Sequence, residues 1–240
     1  MDYPLPTFVL CDLFLSVKSG AFLILPLNTG DNKIAHIQFL SETGRLFRSL
    51  NLHDFCGVPD INGEASKSID RLFDILQLCP LLEECTISRA LSILASRRKS
   101  KYPSLKKLSI LGVEHSKSLG FLNSLSLNLP NLCEFSLGFV FYCNRSTNPV
   151  VIDMPHSSLD LLTWYEHRSL NYNGDEKTYI KLKTERELRY YSCNRDALLP
   201  VNDSRYLLAT QNARFDINCK DLKEVKILDE YHGDHYSWIF

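Results

Sequence analysis

The chain has 240 residues, of which 45% are hydrophobic, so it can bury a sizeable core in one or two domains. Its 27 lysine and arginine residues nearly balance 28 aspartate and glutamate residues, and the net charge is about −1. This balance argues against nucleic-acid binding, because neutralising phosphates requires a clustered positive field.

The first predicted element is a helix in residues 5–15, which read LPTFVLCDLFL. Leu10, Leu13 and Phe14 recur at the spacing of one helical face. Asp12 interrupts the apolar run, and no window of the chain approaches 18 uninterrupted apolar residues. We therefore expect neither a secretory signal nor a contact with a membrane.

An internal repeat follows. Residues 79–87, 102–110 and 129–137 read CPLLEECTI, YPSLKKLSI and LPNLCEFSL, and share the pattern Pro-x-Leu-x-x-apolar-x-aliphatic. Looser copies begin at Phe47, Leu159, Leu188 and Leu222, which gives seven copies at steps of 23 to 35 residues. The last two apolar positions flank a polar residue, a pattern that predicts a short strand buried on one face.

Segments with helical periodicity separate the early strands. Residues 31–40, 66–78 and 115–127 each place apolar side chains on one helical face. Each such helix would return the chain, so we expect successive strands to run parallel. One strand–helix unit cannot bury its own apolar face, whereas a stack of units can. In the last third of the chain, residues 148–152 and 178–183 predict extended segments instead of helices.

Across residues 31–228 the repeat resembles leucine-rich repeats of the ribonuclease-inhibitor-like type. The resemblance implies an α/β fold. It would be a curved leucine-rich repeat solenoid with a parallel concave sheet, helices or loops on the convex side and a short N-terminal helix. The implied domains are an N-terminal segment, residues 1–30, and a repeat domain with a C-terminal cap, residues 31–240. The alternative is an ordinary α/β domain with chance matches to the pattern.

Residues 5–14, Leu-Pro-x-x-Val-Leu-x-x-Leu-Phe, resemble the first helix of an F-box of the fungal type. Phe8 stands where that family usually carries Glu, and residues 18–30 are too short for its second half, so the module would be truncated or degenerate. The alternative is a helix that caps the first repeat. The resemblance implies that a Skp-family adaptor, and through it a cullin, binds Leu5, Pro6, Val9, Leu10, Leu13 and Phe14.

An F-box followed by leucine-rich repeats implies a substrate receptor of a cullin–RING ubiquitin ligase, without catalysis of its own. A stand-alone repeat scaffold is one alternative, and an α/β hydrolase or redox enzyme is another. The chain has no GxSxG, phosphate-loop or HExxH motif, so we expect no catalytic residues, no metal and no cofactor. The eight cysteines are scattered and read as reduced thiols, which favours a cytoplasmic or nuclear protein; Cys79 and Cys85 remain an alternative redox pair.

The partner should bind the solvent-facing side of the sheet. Because side chains alternate along a strand, the residue between the last two apolar positions of each copy should face outward. The expected partner-binding residues are Asn51, Thr86, Ser109, Ser136, Thr163 and Ser192, with Glu84, Lys107, Glu134 and Tyr190 in the preceding column and Tyr165 in the following one.

Overall fold

The computed structural model describes residues 21–26, 40–53, 68–88, 100–113, 119–139, 149–166, 178–193, 197–209, 213–229 and 234–240. The strands are β1 (Ala21–Pro26), β2 (Phe47–His53), β3 (Glu84–Ile87), β4 (Lys107–Val113), β5 (Glu134–Phe139), β6 (Val150–Glu166), β7 (Thr178–Lys183), β8 (Leu188–Cys193), β9 (Leu198–Val201), β10 (Ala213–Asp229) and β11 (Asp234–Ile239). The helices are α1 (Ser68–Leu78), α2 (Phe121–Asn128) and α3 (Asp203–Leu208), with a 3-10 turn at Gly44–Leu46.

These elements form an α/β fold with one open, mostly parallel sheet. The strand order is β1-β2-β3-β4-β5-β6-β10-β7-β8-β9, and β11 pairs with β10 off this path. Every pair of neighbouring strands in the series β1-β2-β3-β4-β5-β6-β10-β7 runs parallel. The predicted parallel pairing of the repeat strands is therefore confirmed for the copies that begin at Phe47, Leu82, Leu105, Leu132, Leu159 and Leu222.

Equivalent backbone hydrogen bonds join consecutive copies of the repeat. The amide of Glu83 donates to the carbonyl of Arg48 at 2.8 Å, and the amide of Lys106 donates to the carbonyl of Glu83 at 2.8 Å. The amide of Cys133 then donates to Lys106 at 2.9 Å, and that of Asp160 donates to Cys133 at 2.7 Å. Each donor follows the first leucine of its copy, so the sequence repeat is also a repeat of backbone geometry.

The core lies on one side of the parallel strands. In each copy, the apolar residue three positions after the first leucine or phenylalanine faces this core. These residues are Leu50, Cys85, Leu108, Phe135, Leu162 and Val225, each at most 3% exposed. The helices α1 and α2 cover this layer with Leu72, Phe73, Leu122 and Leu125, all buried. Helix α1 lies inside the predicted helical segment 66–78, and α2 overlaps the segment 115–127 and extends one residue beyond it. Leu72 and Phe73 face inward as their spacing predicts.

Cysteines occupy positions that other copies give to aliphatic residues. Cys85 stands in the same inward row as Leu108, and it is 2% exposed. Cys79, Cys193 and Cys219 are also buried and free. These four thiols therefore occupy positions in the core, and Cys79 and Cys85 are separate thiols.

The copy at Leu188 departs from the predicted parallel series. Its strand, β8, pairs antiparallel with both β7 and β9. A tight turn joins β7 to β8, in which the amides of Arg186 and Glu187 donate to the side-chain oxygen of Thr184 at 3.3 Å. A connection this short can only join antiparallel strands, because a parallel pair needs a crossover of a dozen residues or more. The prediction of a parallel strand at residues 188–193 is therefore wrong.

Two long strands complete the sheet in the last third of the chain. β6 and β10 each have 17 residues and pair over most of their length, with a register shift between Cys219 and Asp221. The first part of β10 pairs with β7, and the last part pairs with β11. Residues 150–152 of the predicted extended segment 148–152 thus lie in β6, and the segment 178–183 is β7.

The chain ends contribute further strands. β1 pairs parallel with β2, so residues 21–26 extend the sheet at its N-terminal side. At the other terminus, the ring of Phe240 packs edge-to-face on Tyr191 at 5.1 Å, whereas Ile239 is 79% exposed. Residues 5–14, which the sequence assigns to adaptor binding, lie outside the described residues. The domain boundary between residues 30 and 31 stays a prediction.

Candidate interaction surface

The side of the sheet opposite the core presents three aligned rows of side chains, which we call the outer face. The pairing registers define the rows directly. The first row is Ser49, Glu84, Lys107, Glu134, Leu161 and Glu224. The middle row is Asn51, Thr86, Ser109, Ser136, Thr163 and Lys226. The third row includes Gly138, Tyr165 and Leu228.

Small uncharged side chains occupy the middle row over β2 to β6. Asn51, Thr86, Ser109 and Ser136 are partly exposed, and each is flanked along its strand by buried residues. This placement follows from the two-residue period of a strand, which turns the residue between two inward side chains to the other face. Thr163 differs, because it is only 5% exposed. Along β6 it lies between Leu161 and Tyr165, and its register partners on the neighbouring strands are Ser136 and Lys226.

Two predicted members of the outer face, Tyr190 and Ser192, align with none of its three rows. They alternate along β8 with the core residues Tyr191 and Cys193, so they face away from the core as predicted. Their strand, however, pairs antiparallel with β7 and β9 and does not continue the rows. The ring of Tyr190 packs against that of Tyr206 of α3, with ring centroids 5.5 Å apart, and Ser192 is 6% exposed. That these two residues bind a partner stays a prediction.

Charged side chains of the first row pair with each other across the strands. The ammonium group of Lys107 lies 3.1 Å from a carboxylate oxygen of Glu134 and 3.6 Å from one of Glu84. The hydrogen bond and the charge of Glu134 raise the pKa of Lys107. All three side chains are well exposed, so solvent screens the attraction and the contribution to stability is small. Their effect is to neutralise one another at the surface.

The residues just before the first row repeat this arrangement. Glu83 accepts from the ammonium group of Lys106 at 2.8 Å and from the guanidinium of Arg48 at 3.3 Å. The hydrogen bond from Lys106 is the main reason that the pKa of Glu83 is lowered. Further along the sheet, Lys223 pairs with Asp160. Opposite charges therefore pair between adjacent strands from β2 to β4, and again between β6 and β10.

An apolar cluster, Leu111, Gly138, Tyr165 and Leu228, lies at the other end of the outer face. We call it the apolar corner. A Cβ atom placed on Gly138 would lie 3.2 Å from Cδ2 of Leu111 and 3.2 Å from Cβ of Tyr165, so these two side chains flank the glycine closely. Leu228 lies beside Tyr165 in the register of β10 and β6.

The sequence predicted only Tyr165 of this cluster. The other three residues could have been predicted from the sequence, because each lies two residues after the middle-row residue of its strand. The two-residue strand period therefore assigns them to the same face as the middle row.

The alternative redox pair, Cys79 and Cys85, consists of two buried free thiols. Burial raises the pKa of Cys79 to about 11 and also raises that of Cys85, so both thiols stay protonated at neutral pH. The carboxylate of Asp153 accepts hydrogen bonds from the side chains of Asn218 and Asn123, at 2.6 and 3.1 Å. Within the described ranges, no group of three or more histidine, cysteine, aspartate or glutamate side chains could hold a metal ion.

Comparisons with protein-family models, with curated proteins and with solved structures find no match to this chain. In the part of the chain that the structure describes, no helix combines the length and apolar character needed to cross a membrane.

Proposed function

We propose that the chain is a leucine-rich repeat solenoid that binds a protein partner on the outer face of its parallel sheet. The observation that carries this proposal is the lateral alignment of Asn51, Thr86, Ser109 and Ser136 on consecutive strands. The repeats that begin at Phe47, Leu82, Leu105, Leu132 and Leu159 each add one strand and one small polar side chain to the same row. The partly exposed hydroxyl side chains of this row can form hydrogen bonds with a partner.

The solenoid is supported by the repeated entry hydrogen bonds and by the inward row of core residues. In a curved solenoid, helices on the convex side are wider than strands, and the strand side becomes concave. Helices α1 and α2 lie on the core side of the parallel strands, as such a curvature requires. The long strands β6 and β10 continue the sheet after the last of these helices.

The surface is tested by comparing three forms of the full chain that carry a proximity-labelling tag. In the first variant, Ser109→Arg and Ser136→Arg together fill the middle row with long charged side chains. The matched control is Leu208→Arg, because Leu208 is 81% exposed on α3 and belongs to none of the three rows. We expect a set of proteins that wild type and the control label and the double variant does not. Equal labelling by all three forms would contradict the proposal.

We further propose that this partner is a substrate presented to a cullin–RING ubiquitin ligase. This proposal rests on the resemblance of residues 5–14 to the first F-box helix. The test is a pull-down of a purified Skp-family adaptor by wild type, by Leu13→Asp and by the control Leu208→Asp. Wild type and control should retain the adaptor, and Leu13→Asp should lose it. If wild type binds no adaptor, the ligase role is excluded and the stand-alone scaffold remains.

A further inference from the structure

We propose that the outer face binds an extended protein segment without net charge, which places one aliphatic or aromatic side chain on the apolar corner. This inference rests on the proposed function and adds the chemistry of the partner. Three properties of the outer face support it: its charges are already paired, its middle row is small and uncharged over five strands, and the apolar corner lies at the end opposite the charged row.

The first property is the neutral balance of the charged end. Glu84, Lys107 and Glu134 form one chain of ion pairs, and Arg48, Glu83 and Lys106 form another. Lys226 lies 3.4 Å from Glu224 in the last repeat strand. A charged partner would have to replace one of these pairs, and it would meet a like charge on the adjacent strand. Such juxtapositions select against charged partners more than they add affinity for neutral ones.

The second property is the space above the middle row. Thr86, Ser109 and Ser136 have short side chains, and the neighbouring strands of a sheet lie about 4.8 Å apart. An extended segment that crosses the strands would therefore meet a polar group at regular short intervals. Hydroxyl groups both donate and accept, so they can satisfy the amides and carbonyls of a partner backbone without requiring a particular side chain.

The third property supplies the anchor. Leu111 and Tyr165 flank Gly138, and Leu228 lies beside Tyr165; all three side chains are partly exposed. Tyrosine combines a large apolar ring with a polar tip and loses little conformational freedom on binding, which is why it is frequent at binding hot spots. Leu161, on the same face of β6, is also partly exposed. These apolar side chains thus lie on β4, β6 and β10. We expect the apolar residue of the partner to bind at the apolar corner that three of them form.

The test is selection from a random library of twelve-residue peptides displayed on phage, with the full chain as bait. Enriched peptides are resynthesised and their dissociation constants are measured at 50 and 500 mM NaCl. We expect peptides with a net charge near zero and one aliphatic or aromatic residue in common. Their affinity should change less than about threefold between the two salt concentrations, because no exposed charge pair is involved in binding.

Variants of the full chain then locate the binding. Tyr165→Ser and, independently, Leu228→Ser should each weaken binding by about tenfold or more, whereas Lys107→Ala should change it less than about threefold. Ser109→Arg together with Ser136→Arg should abolish it, and Leu208→Ser should leave it unchanged. Thermal unfolding of each variant verifies that it is folded, and the two separate corner variants prevent one misfolded form from deciding the result.

The possible failures are distinguishable. If the enriched peptides bind the double arginine variant as tightly as wild type, they use another surface, and the proposed function of the outer face fails. If they lose binding to that variant but are strongly charged and release at 500 mM NaCl, the outer face binds proteins and only the present inference is overturned. Recovery of no binder also overturns the inference, because it requires that a short extended segment suffices.

Discussion

The hydroxyl of Tyr206 on α3 donates a hydrogen bond to the carboxylate of Asp216 on β10. Tyr206 is 3% exposed, and the same carboxylate lies 3.4 Å from the ammonium group of Lys181 on β7. Tyr206 also packs against the ring of Tyr190, and the guanidinium of Arg214 lies 5.7 Å from its ring centroid. Tyr206 thus links this six-residue helix to β7, β8 and β10, and the buried Ala209 packs in the same cluster.

Tyr206→Phe removes the hydroxyl and keeps the ring. We expect the free energy of unfolding to fall by about 1–2 kcal/mol, because the carboxylate of Asp216 loses a donor in a partly buried site. The amides of α3 should exchange with solvent faster, since few other contacts hold the helix. Urea unfolding and hydrogen–deuterium exchange measure the two effects.

Leu208→Ala is the control for this substitution. Leu208 lies on the same helix but is 81% exposed, so its removal should change stability by less than about 0.5 kcal/mol. If Tyr206→Phe has an equally small effect on stability and on exchange, then α3 is held by contacts other than this hydrogen bond.

The register of the repeat strands could be predicted because each copy carries the same short sequence pattern, apolar-x-x-apolar-x-apolar. Cys85, Leu108 and Phe135 each follow the first leucine of their copy by three residues. Since the side-chain period of a strand is two, aligning these residues fixes which neighbours face the core and which face solvent. The middle row from Asn51 to Ser136 follows directly, and the structure pairs its members.

The arrangement of the last third could not be found in the same way. The pattern around Leu188 matches the repeat, but any strand buried on one face shows it. The decisive signal is the short connection between residues 183 and 188, which permits only an antiparallel pair. The insertion of β10 between β6 and β7 depends on contacts between distant parts of the chain, for which no local pattern exists.

The burial of Thr163 shows a further limit of prediction from pattern. Its position in the row is as predicted, but its exposure depends on Leu161 and Tyr165, which flank it along β6, and on Lys226 beside it. Periodicity assigns a face to a residue and gives no information on how far its neighbours cover it.

Gly44 is required where the 3-10 turn before β2 meets the end of α1. A Cβ atom at this position would lie 2.3 Å from the carbonyl oxygen of Leu78 and 3.0 Å from Sγ of Cys79. Gly44→Ala should therefore lower the free energy of unfolding by about 1–3 kcal/mol, because the backbone must move to relieve the overlap.

Urea unfolding measures the effect at Gly44, and Gly120→Ala is the matched control. Gly120 is exposed before α2 and has φ −57° and ψ −18°, which alanine adopts without strain. We expect the control to change stability by less than about 1 kcal/mol. Equal effects of the two substitutions would mean that α1 can shift away from Gly44 without loss.

The buried thiols should make the protein less stable at alkaline pH. Burial raises the pKa of Cys193 to about 12, and burial with the negative charge of Asp221 raises that of Cys219 to about 12, from an ordinary value of 9.0. Between these values the folded state keeps protons that the unfolded state has released. The unfolded state then binds fewer protons, so the free energy of unfolding falls as pH rises above about 9.

The slope of the free energy of unfolding against pH measures the contribution of these thiols. Near pH 10 each such thiol contributes a decrease of up to about 1.4 kcal/mol per pH unit. Cys219→Val should make the slope shallower by that amount, measured by urea unfolding between pH 8 and 10 with a reductant present. The matched control is Leu222→Ala on the same strand, which should lower stability by about 2–5 kcal/mol at every pH and leave the slope unchanged. A slope that Cys219→Val does not alter would mean that this thiol ionises in the folded state, and that the strand around it opens to solvent.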